Sequence, residues 1–103
     1  MKPLHPTARC LLTVITESML ESTLLAELER LGARGYTVTD ARGKGSRGGR
    51  DAAWQESSNI RIEVLCDAEL ASLLAEHLER RYYADYAMVL FVTEVAVLRP
   101  EKF

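Results

Sequence analysis

The sequence predicts an α+β sandwich, a ferredoxin-like βαββαβ domain in which two helices cover one face of a four-stranded antiparallel sheet. Three observations predict it. At 103 residues the chain is one domain, 1–103, because a single core supports about 100–150 residues. Strand-like and helix-like runs alternate as two βαβ units, and right-handed crossovers then put both helices on one side. The two units also echo each other in letters: LLAELER (Leu24 to Arg30) and LLAEHLER (Leu73 to Arg80) differ by the inserted His77, with Tyr36 and Tyr86 following at similar distances.

CLLTVI (Cys10 to Ile15) is short, apolar and β-branched, and reads as the first strand. Ser18 and Glu21 have capping-box spacing, so a helix is expected to start at Ser18. Leu20, Leu24, Leu28 and Leu31 form its apolar stripe, Gly32 its C-cap, and Glu27 and Arg30 an outward-facing pair three residues apart. YTVTDA (Tyr36 to Ala41) alternates and predicts the second strand. A loop to about Ser57 follows, longer than compact domains usually tolerate without a functional reason.

NIRIEVLC (Asn59 to Cys66) is the third strand, with Ile60, Ile62, Val64 and Cys66 inward and Arg61 and Glu63 on the opposite face. Asp67 caps the second helix, which carries Leu70, Leu74, Leu78 and Tyr82 on its inner stripe and a Glu76–Arg80 pair outside. The last strand is Met88 to Leu98. Leu11, Leu12, Val14 and Ile15 in the first strand, and Val89, Leu90, Phe91 and Val92 in the last, are apolar on both faces. Two helices cover only one face, so the other is expected to be buried in a homo-oligomer, the alternative being that the N-terminal segment and the C-terminal tail shield it.

Hydrophobic residues make up 48% and charged residues 27%, a globular composition. The net charge is −2, and without the four cations of RGKGSRGGR (Arg42 to Arg50) it becomes −6, so positive charge is local. A nucleic-acid surface needs a broader basic face, since affinity comes from neutralising roughly 6–10 phosphates. No nucleic-acid partner is expected. The N-terminal MKPLHPTAR lacks the apolar core of a signal peptide and no run of about 18 apolar residues exists, so a cytoplasmic location is expected.

RGKGSRGGR also holds four of the six glycines. Glycines can turn successive N–H groups toward one point, a nest for an anion, with Lys44 and Arg47 adding charge and Ser46 a hydroxyl. The spacing alone leaves a flexible linker equally open, and GKGS does not have the P-loop pattern. His5 and His77 have no metal-ligand spacing with Cys10 or Cys66, so no metal is expected. Both cysteines lie in strand-like runs, so no disulfide framework is expected and they read as buried apolar residues over any redox role. His77 reads as a solvated helix-surface residue. Tyr82, Tyr83 and Tyr86 read as closing a helix onto the sheet. Ion pairs to Arg61 and Arg42 account for Glu63 and Asp40 as well as nucleotide contacts would. No nucleophile–base constellation assembles, so the chain reads as a sensor and not an enzyme.

GYTVTDARGKGSR (Gly35 to Arg47) resembles the stretch leading into the T-loop of PII signalling proteins, and most closely the subgroup of SbtB and carboxysome-associated PII proteins, where a later DYA (Asp85 to Ala87) also occurs. The resemblance spans Arg9 to Leu98 and agrees with the βαββαβ reading. It implies a trimer with adenine nucleotides in three intersubunit clefts and a T-loop at about 43–57. Thr37 and the backbone near Leu65 would meet the adenine. Gly43, Lys44, Gly45, Ser46 and Arg47 would hold phosphate or a small anion, and Ala87 would be a further nucleotide-binding position. AMP, ADP or cyclic AMP and bicarbonate are the implied ligands, none of them a cofactor. A bicarbonate transporter at the inner membrane is the implied partner, with Arg50 and Trp54 as contact residues, although Trp54 could equally fold back on its own subunit.

Departures from the PII pattern narrow this. The lysine that standard PII proteins place on the outer phosphates is missing from YADYAMV, Arg47 stands where their glutamine supports 2-oxoglutarate and Mg²⁺, and the loop has no tyrosine to modify. ATP should therefore gain little from its γ-phosphate, and nitrogen sensing is not implied. RPEKF lacks the cysteine-paired extension of many SbtB proteins, so no role tied to that extension is expected. The alternatives are a nucleotide phosphohydrolase on the same scaffold, which turnover of ADP or ATP would reveal, and a CutA-like metal-binding trimer, which the sparse His and Cys disfavour.

Overall fold

A computed structural model of the chain describes residues 6–43 and 58–99. Four strands, β1 (Thr7–Glu17), β2 (Thr37–Ala41), β3 (Asn59–Cys66) and β4 (Met88–Val97), form one antiparallel sheet in the order β2-β3-β1-β4. Helices α1 (Glu21–Leu31) and α2 (Ala68–Tyr82) connect β1 to β2 and β3 to β4. This is the ferredoxin-like arrangement expected.

Strand β1 is central and paired on both sides, which extends it beyond the apolar run to Thr7 and Glu17. Its Leu12 and Val14 and the β3 residues Ile60, Ile62 and Val64 are sealed under Leu24 and Leu28 of α1 and Leu74 and Leu78 of α2. Alternation puts the partners of Leu12 and Val14 on the same side and sends Leu11, Thr13, Ile15, Leu65, Val89 and Phe91 to the other. The helices do not cover that side, nor the distal part of β4. Val89, Phe91 and Val92 remain 44%, 42% and 46% exposed.

The ends of the helices show which local signals act. Gly32 closes α1 at φ 122°, its N–H donating to Glu29 O at 3.1 Å, and a Cβ there would also meet Leu70 at 3.5 Å. The capping box does not form. Ser18–Leu20 is a 3-10 turn, α1 begins at Glu21, and no side chain caps it, because the Ser18 N–H instead donates to Ser58 O at 2.7 Å. Asp67 does cap α2, its Oδ1 accepting from the Leu70 N–H at 2.8 Å. Asp67→Ala should therefore lower unfolding stability by about 1 kcal/mol, read as a lower urea midpoint at unchanged slope. The outer Glu76–Arg80 pair forms at 3.0 Å.

Candidate functional site at the foot of the loop

The β2–β3 ladder runs from Thr37 opposite Glu63 to Ala41 opposite Asn59, so the chain enters and leaves the 44–57 segment at adjacent points of one sheet end. The Ser18–Ser58 bond anchors the return side. At this end a cleft of about 380 Å³ is lined by Ile15, Asp40, Ala41, Arg42, Gly43, Asn59 and Arg61. Arg61 and Ile15 are direct ladder partners on the uncovered face.

Two guanidiniums and one carboxylate give the cleft a net positive character suited to a small anion. Arg61 already donates to Glu63 through Nε and its terminal nitrogen, both at 3.2 Å, but these side chains are 41% and 34% exposed. Such a solvent-screened pair contributes only a fraction of a kcal/mol, so an incoming anion can recruit Arg61 at little cost. Sequence reasoning places Arg61 on this face without assigning it to a site; its parity in β3 is the available signal.

Of the residues read from the sequence as candidate site residues, Gly43 lies in the cleft wall. Among the described residues only Gly32 has a positive φ, so Gly43 does not supply the left-handed turn of an anion nest. Ala87 lies at the same sheet end. Its N–H donates to Glu17 Oε2 and its carbonyl accepts from Thr16 Oγ1, both at 2.8 Å, so its own chain engages both main-chain groups. Thr37 and Leu65 also face the uncovered side, but further along: Thr37 is four residues from Ala41, roughly 13 Å of strand. Thr37 is exposed, and Leu65 is half-buried opposite Leu11. Lys44, Gly45, Ser46, Arg47, Arg50 and Trp54 lie outside the described residues.

The family model for nitrogen regulatory protein P-II matches residues 9–102. The chain belongs to the P-II family. A PII-like signalling protein of Thermus thermophilus is 42% identical, with 97% of this chain and 99% of that one covered at a TM-score of 0.81. CPII, a nitrogen regulatory PII-like protein of Thiomonas intermedia bound to ADP, AMP and bicarbonate, is 28% identical over 98% of both chains at a TM-score of 0.82. The same protein bound to ADP, AMP and acetate matches at 27% identity, covering 97% of this chain and 98% of that one, with a TM-score of 0.83.

In this P-II chain the most connected polar cluster among the described residues lies between the helices, and it corrects two expectations. Glu27 does not pair outward with Arg30; it is 9% exposed, its Oε1 lies 2.6 Å from His77 Nε2, and its Oε2 accepts from the Tyr82 hydroxyl. His77 is correspondingly partly buried and not simply solvated, and Arg81 stands 3.9 Å from Glu27. The reason is helical geometry: Glu27 sits three residues after Leu24 and four before Leu31, beside the buried stripe. Burial alone would raise the Glu27 pKa, but hydrogen bonds from Tyr82 and His77 and the charge of Arg81 outweigh it and hold the carboxyl below 4.5. Burial and the bond to Glu27 push the Tyr82 hydroxyl up to about 12. Among the described residues no three His, Cys, Asp or Glu stand together as a metal site, and no helix is long and apolar enough to cross a membrane.

Proposed function

We propose that this P-II chain is a regulatory sensor of the SbtB and carboxysome-associated kind, a homotrimer that binds AMP, ADP or cyclic AMP in clefts between subunits and bicarbonate at the loop. The observation that carries the reading is the ligand set of the Thiomonas relative, which matches this chain over nearly its whole length. Chemistry supports it. In this reading Thr37 and Leu65 meet the adenine, and Arg42 and Arg61 from the cleft, together with Gly43, Lys44, Gly45, Ser46 and Arg47, bind the phosphates. The roughly 13 Å of strand between Thr37 and the cleft residue Ala41 suits an extended nucleotide. Ala87, at the same sheet end, is a further nucleotide-binding position in this reading. Trimer formation covers the apolar side of β1 and β4 that the helices leave open.

Binding, not turnover, is the activity. Ordering a residue costs about 1–2 kcal/mol of backbone entropy, whereas a charge-assisted hydrogen bond returns about 1.5–3 kcal/mol, so a few bonds order Gly43 to Arg47 but not the segment to Ser57. Bicarbonate or a protein partner supplies the remainder. The loop, through Arg50 and Trp54, then docks on a bicarbonate transporter at the inner membrane and regulates inorganic-carbon uptake or carboxysome-linked metabolism from the cytoplasm.

Calorimetry with AMP, ADP, ATP and cyclic AMP, each with and without bicarbonate, tests this. ADP or AMP should bind, bicarbonate should tighten the complex, and ATP should gain less than about tenfold over ADP, a difference of about 1.4 kcal/mol. Failure of every adenylate to bind would overturn the reading, as would steady hydrolysis of ADP or ATP.

A further inference from the structure

Cys10 and Cys66 are direct cross-strand partners in the β1–β3 ladder. Both are free, both are in the core on the helix-covered side, and they are 9% and 3% exposed. Direct antiparallel partners have Cα atoms about 4.5–5.5 Å apart, inside the window of about 4.4–6.8 Å that a disulfide spans. Their Cβ atoms, about 4.5–5.5 Å apart in such pairs, need to close by about 1 Å. One residue along, Leu11 pairs with Leu65 on the opposite side of the sheet.

We propose that Cys10 and Cys66 form a reversible intramolecular disulfide that tethers β1 to β3 beside Leu65, making the sensor responsive to thiol redox state. A small-molecule disulfide such as oxidised glutathione is the oxidant. The Cys10 thiolate attacks it, releasing one small thiol and leaving a mixed disulfide. The Cys66 thiolate then attacks the Cys10 sulfur and releases the second small thiol. Two protein thiols are oxidised and the small disulfide is reduced to two thiols, so electrons and protons balance.

The order follows from surroundings. Cys10 is the more exposed of the two, and its other ladder partner, Glu94, is exposed on the edge strand β4. Cys66 is held back: burial, the nearby Cys10 and Asp67 push its thiol up to about 11. Cys66 is therefore the resolving thiol, and bridging should be faster at higher pH, where more of each thiol is thiolate. The effect on nucleotide affinity rests on the proposed adenine contact at Leu65; the disulfide itself does not.

The test incubates the reduced full chain with oxidised glutathione and no nucleotide. The expected product has lost about 2 Da and both titratable thiols, maps as a Cys10–Cys66 peptide link, and reverts with dithiothreitol. Cys10→Ser and Cys66→Ser should each abolish the link. Thiols that stay free in the folded protein, a mixed disulfide that does not resolve, or bridges only between chains would overturn the proposal. In a second measurement the oxidised form should bind ADP at least about threefold more weakly than the reduced form, the strands beneath Leu65 having moved. Equal affinity would overturn the coupling; loss of ADP binding in both forms would instead overturn the nucleotide reading, with the mass result still deciding the disulfide.

Discussion

Phe91→Asp should convert the proposed trimer to monomers at micromolar concentration and abolish the proposed adenylate binding, while leaving each subunit folded. Phe91 pairs with Thr13 on the uncovered side of the sheet, is 42% exposed, and does not belong to the core beneath the helices. Fully burying such a side chain contributes about 1.5–3 kcal/mol, so covering its remaining exposure is worth about 1 kcal/mol in each subunit, with Val89 adding a similar amount. The aspartate removes that gain and also places a carboxylate in a face that assembly dries, where effective desolvation costs several kcal/mol per ion. Three related copies multiply both terms. Light scattering after gel filtration reads the mass, far-ultraviolet circular dichroism reads the fold, and calorimetry with ADP reads the site. A trimer of unchanged stability would show that the uncovered face is not the interface. Monomers that still bind ADP would show that the cleft needs no neighbour.

That prediction draws on what is most legible in the letters. The period-two pattern of β3 places its ends at Asn59 and Cys66 and its inner residues correctly, because alternate residues of a half-covered strand feel opposite environments. The doubly apolar β4 announces a face with no cover inside the protomer. Information that depends on partners distant in sequence is less legible. Thr7, Ala8 and Arg9 carry no apolar signal, and they join β1 only because Val97, Ala96 and Val95 lie opposite. Alternation predicts Tyr36 within the second strand, yet it lies outside β2 and its hydroxyl donates to Glu29 Oε2 at 2.8 Å. For the site, Thr37 and Leu65 follow from family resemblance, since neither side chain carries distinctive chemistry. Arg61 enters only when the ladder sets it beside Ile15 and Asn59 in the cleft.

The Glu27 cluster shows the same limit, since a glutamate and a histidine on two amphipathic helices read as surface residues until the helices are packed. Its energetic weight yields the second large effect. Glu27→Ala should destabilise the domain by about 2–4 kcal/mol, because it removes a carboxylate accepting from Tyr82 and bonded to His77 and leaves the Tyr82 hydroxyl, in a residue only 5% exposed, without that acceptor. Glu27→Gln keeps the volume and an acceptor and should cost less, but it removes the charge and with it a pH dependence whose sign is determined. The Glu27 pKa is lower in the folded chain than its ordinary 4.5, so its contribution is present above that value and is lost as pH falls through the folded pKa. The Tyr82 pKa is raised to about 12 from 10.0, so its contribution holds below pH 10 and is lost as pH rises toward 12. Urea midpoints across pH should therefore form a plateau with a shoulder on each side. Glu27→Gln should flatten the acid shoulder and Tyr82→Phe should reduce the alkaline one, to which the raised Cys66 thiol also contributes, and shoulders unchanged by either substitution would show that the cluster does not couple protons to folding.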